Sequence, residues 1–195
     1  MSCRINIAGF DLRKMRTLIG SRSPTLIDEL CAAFDKSWSD AETKADGYAI
    51  IERAVMEGTP FPDLQIETEI HATAACMFAR HDQNMHALMS STWNAQAFGE
   101  LLRELPKKLP PLVRVFLRAM RDGTPLFGQE IRSSWSYYAY FAHAKVQAFH
   151  TALVDFQTEH PRFTGQDFCY GFLDELVDWL RQINEAKRDL WYVAW

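Results

Sequence analysis

Twenty consecutive residues, ETEIHATAACMFARHDQNMH at 67–86, hold three carboxylates and three histidines. These are the side chains that ligate zinc, iron or manganese and that carry protons in general acid–base chemistry. Two ligands on one helix share an ion when they stand i, i+3 or i+4 apart, because only then do both rise from one face within a turn. Glu67 and His71 meet that spacing. His71 and His81 would stand about 15 Å apart along a helix axis, and His71 and His86 about 22 Å. On a helical wheel Ile66, Ile70, Ala74 and Met77 define the apolar face, with His81 inside it and Glu67 and His71 together at its margin. Glu69 and Asp82 add no further i, i+4 pairing with a histidine. The stretch therefore reads as a Glu67–His71 surface pair, plus a His81 under the helix end bonding the last carbonyls. It does not read as a metal site, and no cofactor is expected.

Other constellations weigh the same way. His143 and His150 share a helix face but lie about 10 Å apart along the axis, too far for one zinc. Cys169 opens a helix near His160 in sequence, and a helix N-terminus lowers a thiol pKa, yet nothing supplies an orienting group. Arg114, Arg118 and Arg121 fall at i, i+4 and i+7, with Lys107 and Lys108 just before them. They form the one concentrated basic patch in an acidic chain, suited to steering and anchoring a partner with an acidic surface. No GxxxxGK or GxGxxG loop is present to cradle phosphate, and no GxSxG, HExxH or DxDxDG motif occurs. The aromatic run Trp135, Tyr137, Tyr138, Tyr140 and Phe141 reads as core before it reads as a ligand pocket.

The elements that must position these residues follow from composition and periodicity. The 195 residues are 48% hydrophobic, 13% aromatic and 24% charged, enough for a substantial core and against disorder. One domain over 1–195 is expected, since no repeat, low-complexity stretch or linker divides the chain. A net charge of −4 and a pI near 5.9 argue against a general nucleic-acid binder. Cys3, Cys31, Cys76 and Cys169 are widely spaced, and the first residues lack an apolar signal core, so reduced thiols and a cytoplasmic location are expected. No apolar run approaches a membrane span.

Residues 3–8 alternate as a strand, and residues 11–18 suit a short helix. Ser23-Pro24 opens a helix with an apolar stripe of Leu26, Ile27, Leu30, Cys31 and Phe34. A helix from Asp46 to Met56 stops at Gly58, TPFPD at 59–63 is loop, and a helix covers 64–80, with a further helix announced by Trp93 and Phe98. Residues 109–122 form a helix with Leu112, Val115, Phe116, Ala119 and Met120 inward and the arginines outward. Residues 133–141 are the strongest strand candidate, with both faces covered. Helices follow at 143–157 and 167–187, and LWYVAW at 190–195 closes as a strand. The fold class is α+β: a mostly helical domain on a small sheet of the N-terminal, 133–141 and C-terminal strands, with the first and last strands as neighbours.

Four stretches, DLRKMRTLIGS at 11–21, ERAVMEGTPF at 52–61, GTPLFGQEIRSSWSYYAYF at 123–141 and the closing RDLWYVAW, resemble a bacterial family of unknown function akin to the small YfbM-type proteins. The resemblance implies an α+β fold in which 133–141 is a strand feeding a helix, and it carries no catalytic residues. Two function classes remain. The first is a non-catalytic protein-binding module, such as an immunity or antitoxin-like partner of a bacterial toxin, using Lys107, Lys108, Arg114, Arg118 and Arg121. The second is an enzyme, with or without a metal, whose site is assembled across helices from Glu67, His71, His81, His143 or His150.

Overall fold

The alternation in the first residues becomes strand β1 (Ser2–Phe10), and Asp11 then turns the chain into helix α1 (Leu12–Leu18) by accepting from the N–H groups of Arg13 and Lys14. The computed structural model describes residues 2–59, 68–94, 103, 109–122, 124, 137–160 and 168–194. Among these the remaining elements are α2 (Pro24–Phe34), α3 (Ala41–Glu57), α4 (Thr68–Arg80), a 3-10 turn (His81–Gln83), β2 (His86–Asn94), α5 (Pro111–Asp122), β3 (Tyr137–Phe141), α6 (His143–Glu159), α7 (Phe168–Glu185) and β4 (Asp189–Ala194). The fold is α+β. None of the described helices is long and apolar enough to cross a membrane.

Cα packing groups the chain into two compact units, 1–9 with 87–124 and 135–195, and 10–86 with 125–134. The first unit carries the sheet, in the order β2-β1-β4-β3. The N-terminal and C-terminal strands are thus neighbours, as the sequence suggests. β3 and β4 run antiparallel from Tyr137 opposite Ala194 to Phe141 opposite Leu190. Leu190, Trp191 and Tyr192 are consecutive and all buried, so β4 is covered on both faces. Residues 133–136 of the expected strand lie outside the described residues.

Strand β2 is a correction to the expected helix at Trp93. The chain leaves α4 through left-handed backbone at Asp82 (φ 55) and Gln83 (φ 56), which ends the helix without the glycine or proline that would announce a stop. Helix α3 starts at Ala41 rather than Asp46, because Asp40 provides the N-cap by accepting from Thr43 N–H at 2.7 Å. Its other end is as expected, with Gly58 left-handed at φ 72.

Helices α5, α6 and α7 share one apolar core with the sheet. At its centre the rings of Phe116, Phe141 and Phe149 meet, with Phe116 4.5 Å from Phe141 and 4.1 Å from Phe149 between centroids. Such aromatic contacts add about 0.5–1.5 kcal/mol each beyond the burial of area. In the second unit α2, α3 and α4 pack on one another, with α1 against α4. Their approach is close: the Phe34 ring lies where a Cβ on Gly47 would stand, 2.3 Å from its carbons. Gly20 donates its N–H to Ala54 O at 2.9 Å and faces the Gly58 backbone, joining the end of α1 to the end of α3.

Candidate functional site

Helix α5 is the element on which the basic patch was expected. Its buried residues are Val113, Phe116, Leu117 and Met120, whereas Leu112 is 44% exposed and Val115 59%. The buried stripe has the expected i, i+3, i+4, i+7 spacing but is displaced by one residue. Periodicity alone does not choose between the two stripes of PLVRVFLRAM, since both are apolar. The choice is made in three dimensions: Phe116 and Met120 are common to both stripes, and the core takes Val113 and Leu117 beside them. Leu112 and Val115 are left outside, forgoing the roughly 1.5–3 kcal/mol that full burial of each would contribute.

The arginines divide accordingly. Arg118 is exposed. Arg114 is half-buried rather than fully outward, and its Nη2 donates to the Leu109 carbonyl at 3.2 Å, a backbone group just ahead of the helix. Lys107 and Lys108 lie outside the described residues, as does the side chain of Arg121. The described part of this face is therefore two apolar side chains on successive turns beside one exposed guanidinium, a composition the charge pattern alone did not show.

The histidines are distributed differently from the expectation. His71 is buried at 8% exposure in α4 rather than in a surface pair, and Glu67 lies outside the described residues. His81 does not bond the last carbonyls of α4. Its Nε2 stands 2.9 Å from the Glu29 carboxylate, reaching across 52 residues to helix α2. His143 Nε2 meets Asn184 Oδ1 at 3.0 Å between α6 and α7. Burial holds the His150 imidazole below its usual pKa, with Arg181 pushing the same way against Glu185. His160 caps α6 through its own N–H and lays its ring 4.9 Å from Phe156, while the side chain of Cys169 is outside the described residues. Among the described residues no group of three or more metal-capable side chains gathers.

The thiols of Cys31 and Cys76 are held in the protonated form. Burial, then the charges of Asp35, Asp28 and Glu52, push the Cys31 thiol up to about 11, and burial raises that of Cys76 against the pull of Arg80. Neither is in a disulfide. Tyr48 donates to Asp35, which lowers the Asp35 carboxyl and raises the phenol to about 12, and Lys44 completes the group at 3.3 Å. This cluster ties α3 to the end of α2.

No family model, no curated protein and no solved structure matches the chain.

Proposed function

We propose that this protein is a non-catalytic binding module that engages a protein partner with an acidic surface through the outer face of α5. The carrying observation is the exposure of Leu112 and Val115, at 44% and 59%, beside the exposed Arg118 on one helix. The exposed apolar side chains offer area to desolvate, and the arginine offers bidentate contact with a carboxylate. Lys107, Lys108, Arg114 and Arg121 complete the proposed contact set. An immunity or antitoxin-like role in the bacterial cytoplasm, and membership of the YfbM-type family, belong to the same reading. The enzyme alternative draws less support, since His71 is buried in α4 and His143 is engaged by Asn184 of α7.

The test is a photo-crosslinking residue at Val115, with the same residue at the exposed Val154 as control. A discrete heteromeric product at 115 that vanishes with Arg118→Glu is expected. Equal products from both positions, or products indifferent to Arg118→Glu, would overturn the reading.

A further inference from the structure

In the second unit the ends of α2 and α4 border a half-open groove of about 370 Å³. The volume falls within the range of small-ligand sites, roughly 300–1,000 Å³. Its apolar lining is Leu30, Ala33 and Met77, of which Leu30 and Met77 are buried. Lys36 and Ser37 from the turn after α2, and Arg80 from the last turn of α4, supply the polar lining. Several described cations hold carboxylates: Lys44 binds Asp35, Arg53 binds Glu57, and Arg181 binds Asp178 and Glu185. Lys36 and Arg80 are exposed and have no ion pair among the described residues. The carboxylate that lines the groove, Glu29, is engaged by His81 at 2.9 Å.

Both helices turn their carbonyl ends toward this groove, which opposes an anion with about half a charge each. Two full cations outweigh that. Beyond His81 the backbone is left-handed at two successive residues, Asp82 and Gln83, neither a glycine.

We propose that this groove binds a small amphipathic carboxylate, its head group between Lys36 and Arg80 and its apolar body over Leu30 and Met77. Arg80 offers the planar fork that matches a carboxylate, Lys36 a second charge and Ser37 a hydroxyl donor. The pairing of Glu29 with His81 keeps the negative side chain from competing for either cation.

Octanoate is the probe, titrated by calorimetry and by amide chemical shifts on the full chain, with 1-octanol and inorganic phosphate as the two halves of the ligand. Octanoate is expected to bind with a Kd on the order of 1 mM, in line with the affinity of a ligand of this size. Shifts should fall on residues 29–37 and 77–81. Octanol and phosphate should each bind at least about tenfold more weakly, and Lys36→Glu with Arg80→Glu should weaken octanoate by at least about tenfold at unchanged Tm. Should the double variant fold poorly, Lys36→Ala alone should weaken octanoate a few-fold. Absence of binding at about 10 mM, undiminished binding in the variants, or octanol binding as tightly as octanoate would overturn the assignment.

Discussion

The main-chain N–H of His143 donates to Oδ1 of Asp189 at 2.8 Å, so the first residue of β4 caps the first turn of α6. Ala142, which holds the N-cap position, has no side chain able to do this. The cap comes instead from 46 residues further along, and it fixes the start of α6 to the start of the strand in the middle of the sheet. A carboxylate there also meets the positive end of the helix.

Asp189→Ala should therefore destabilise the protein by about 1–2 kcal/mol, the range of a lost N-cap, measured by urea denaturation. Asp189→Asn, which keeps the acceptor and loses the charge, should recover part of that. A change below about 0.3 kcal/mol for the alanine variant would show that water replaces the cap.

Asn84 makes the corresponding joint in the second unit. It is 1% exposed, accepts from Asp11 N–H at 3.3 Å and donates to Asp11 O at 2.9 Å across 73 residues. Asn84→Ala removes the bond to Asp11 N–H and one of the two bonds to the Asp11 carbonyl, which keeps the one from Met15 N–H at 3.1 Å, and should cost about 1–3 kcal/mol. Asn84→Asp should cost more, since a carboxylate cannot donate to the Asp11 carbonyl. A smaller loss from the aspartate variant than from the alanine variant would mean that the bond it keeps from Asp11 N–H outweighs the carboxylate facing the carbonyl.

These joints mark the boundary of what the sequence made legible. β1, β3 and β4 were readable because alternation and aromatic runs are local signals, and α2 because Ser23-Pro24 is a local cap, its hydroxyl accepting from Leu26 N–H. β2 was not, because the chain leaves α4 through left-handed Asp82 and Gln83 rather than a glycine. The stripe of α5 was displaced by one residue because Leu112 and Val115 satisfy the period as well as Val113 and Leu117 do. The Glu29–His81 contact spans 52 residues and has no local signature at all. Two of the stretches that suggested the YfbM-type resemblance, DLRKMRTLIGS and ERAVMEGTPF, have a physical reason to be what they are: each places a left-handed glycine, Gly20 at φ 73 and Gly58 at φ 72, where the two backbones touch.

Gly47 lies inside α3, where glycine is ordinarily unfavourable by about 1 kcal/mol relative to alanine. Here alanine should be the worse residue, because its Cβ would stand 2.3 Å from the buried Phe34 ring. Gly47→Ala is expected to lower stability by about 1–3 kcal/mol, the range for overpacking a filled core. Combining it with Phe34→Leu should cost less than the sum of the two single changes, and strict additivity in that cycle would show that the clash is not the cause.

The end of α7 offers a change in the opposite direction. Arg188 N–H bonds Ile183 O at 3.1 Å and Lys187 N–H bonds Asn184 O at 3.0 Å, the paired bonds of a Schellman stop, with Lys187 itself left-handed at φ 51. A side chain at that position carries a steric penalty that glycine lacks, offset in part by the greater freedom of glycine in the unfolded chain. Lys187→Gly should raise stability by about 0.5–1 kcal/mol, read as a higher denaturation midpoint at unchanged m. A destabilised variant would mean that the lysine makes a contact outweighing its backbone strain.

The Cys31 thiol gives a prediction in pH. Its ordinary value is 9.0, and in the folded chain burial, followed by Asp35, Asp28 and Glu52, raises it to about 11. The folded state thus holds the proton more tightly than the unfolded one. Its contribution to stability is fully present below pH 9 and is lost as pH rises through 9 towards 11. Alkylation by iodoacetamide, followed at Cys31 by mass spectrometry, should be slow at pH 8 and climb steeply only above pH 10, because the thiolate is the reacting form. Glu52→Gln and Asp28→Asn should each move that rise to lower pH without moving it all the way to the unfolded value, since burial is the larger cause. Rapid alkylation at pH 8 in the folded wild type would place Cys31 in a more open and less acidic setting than its position on α2 gives it.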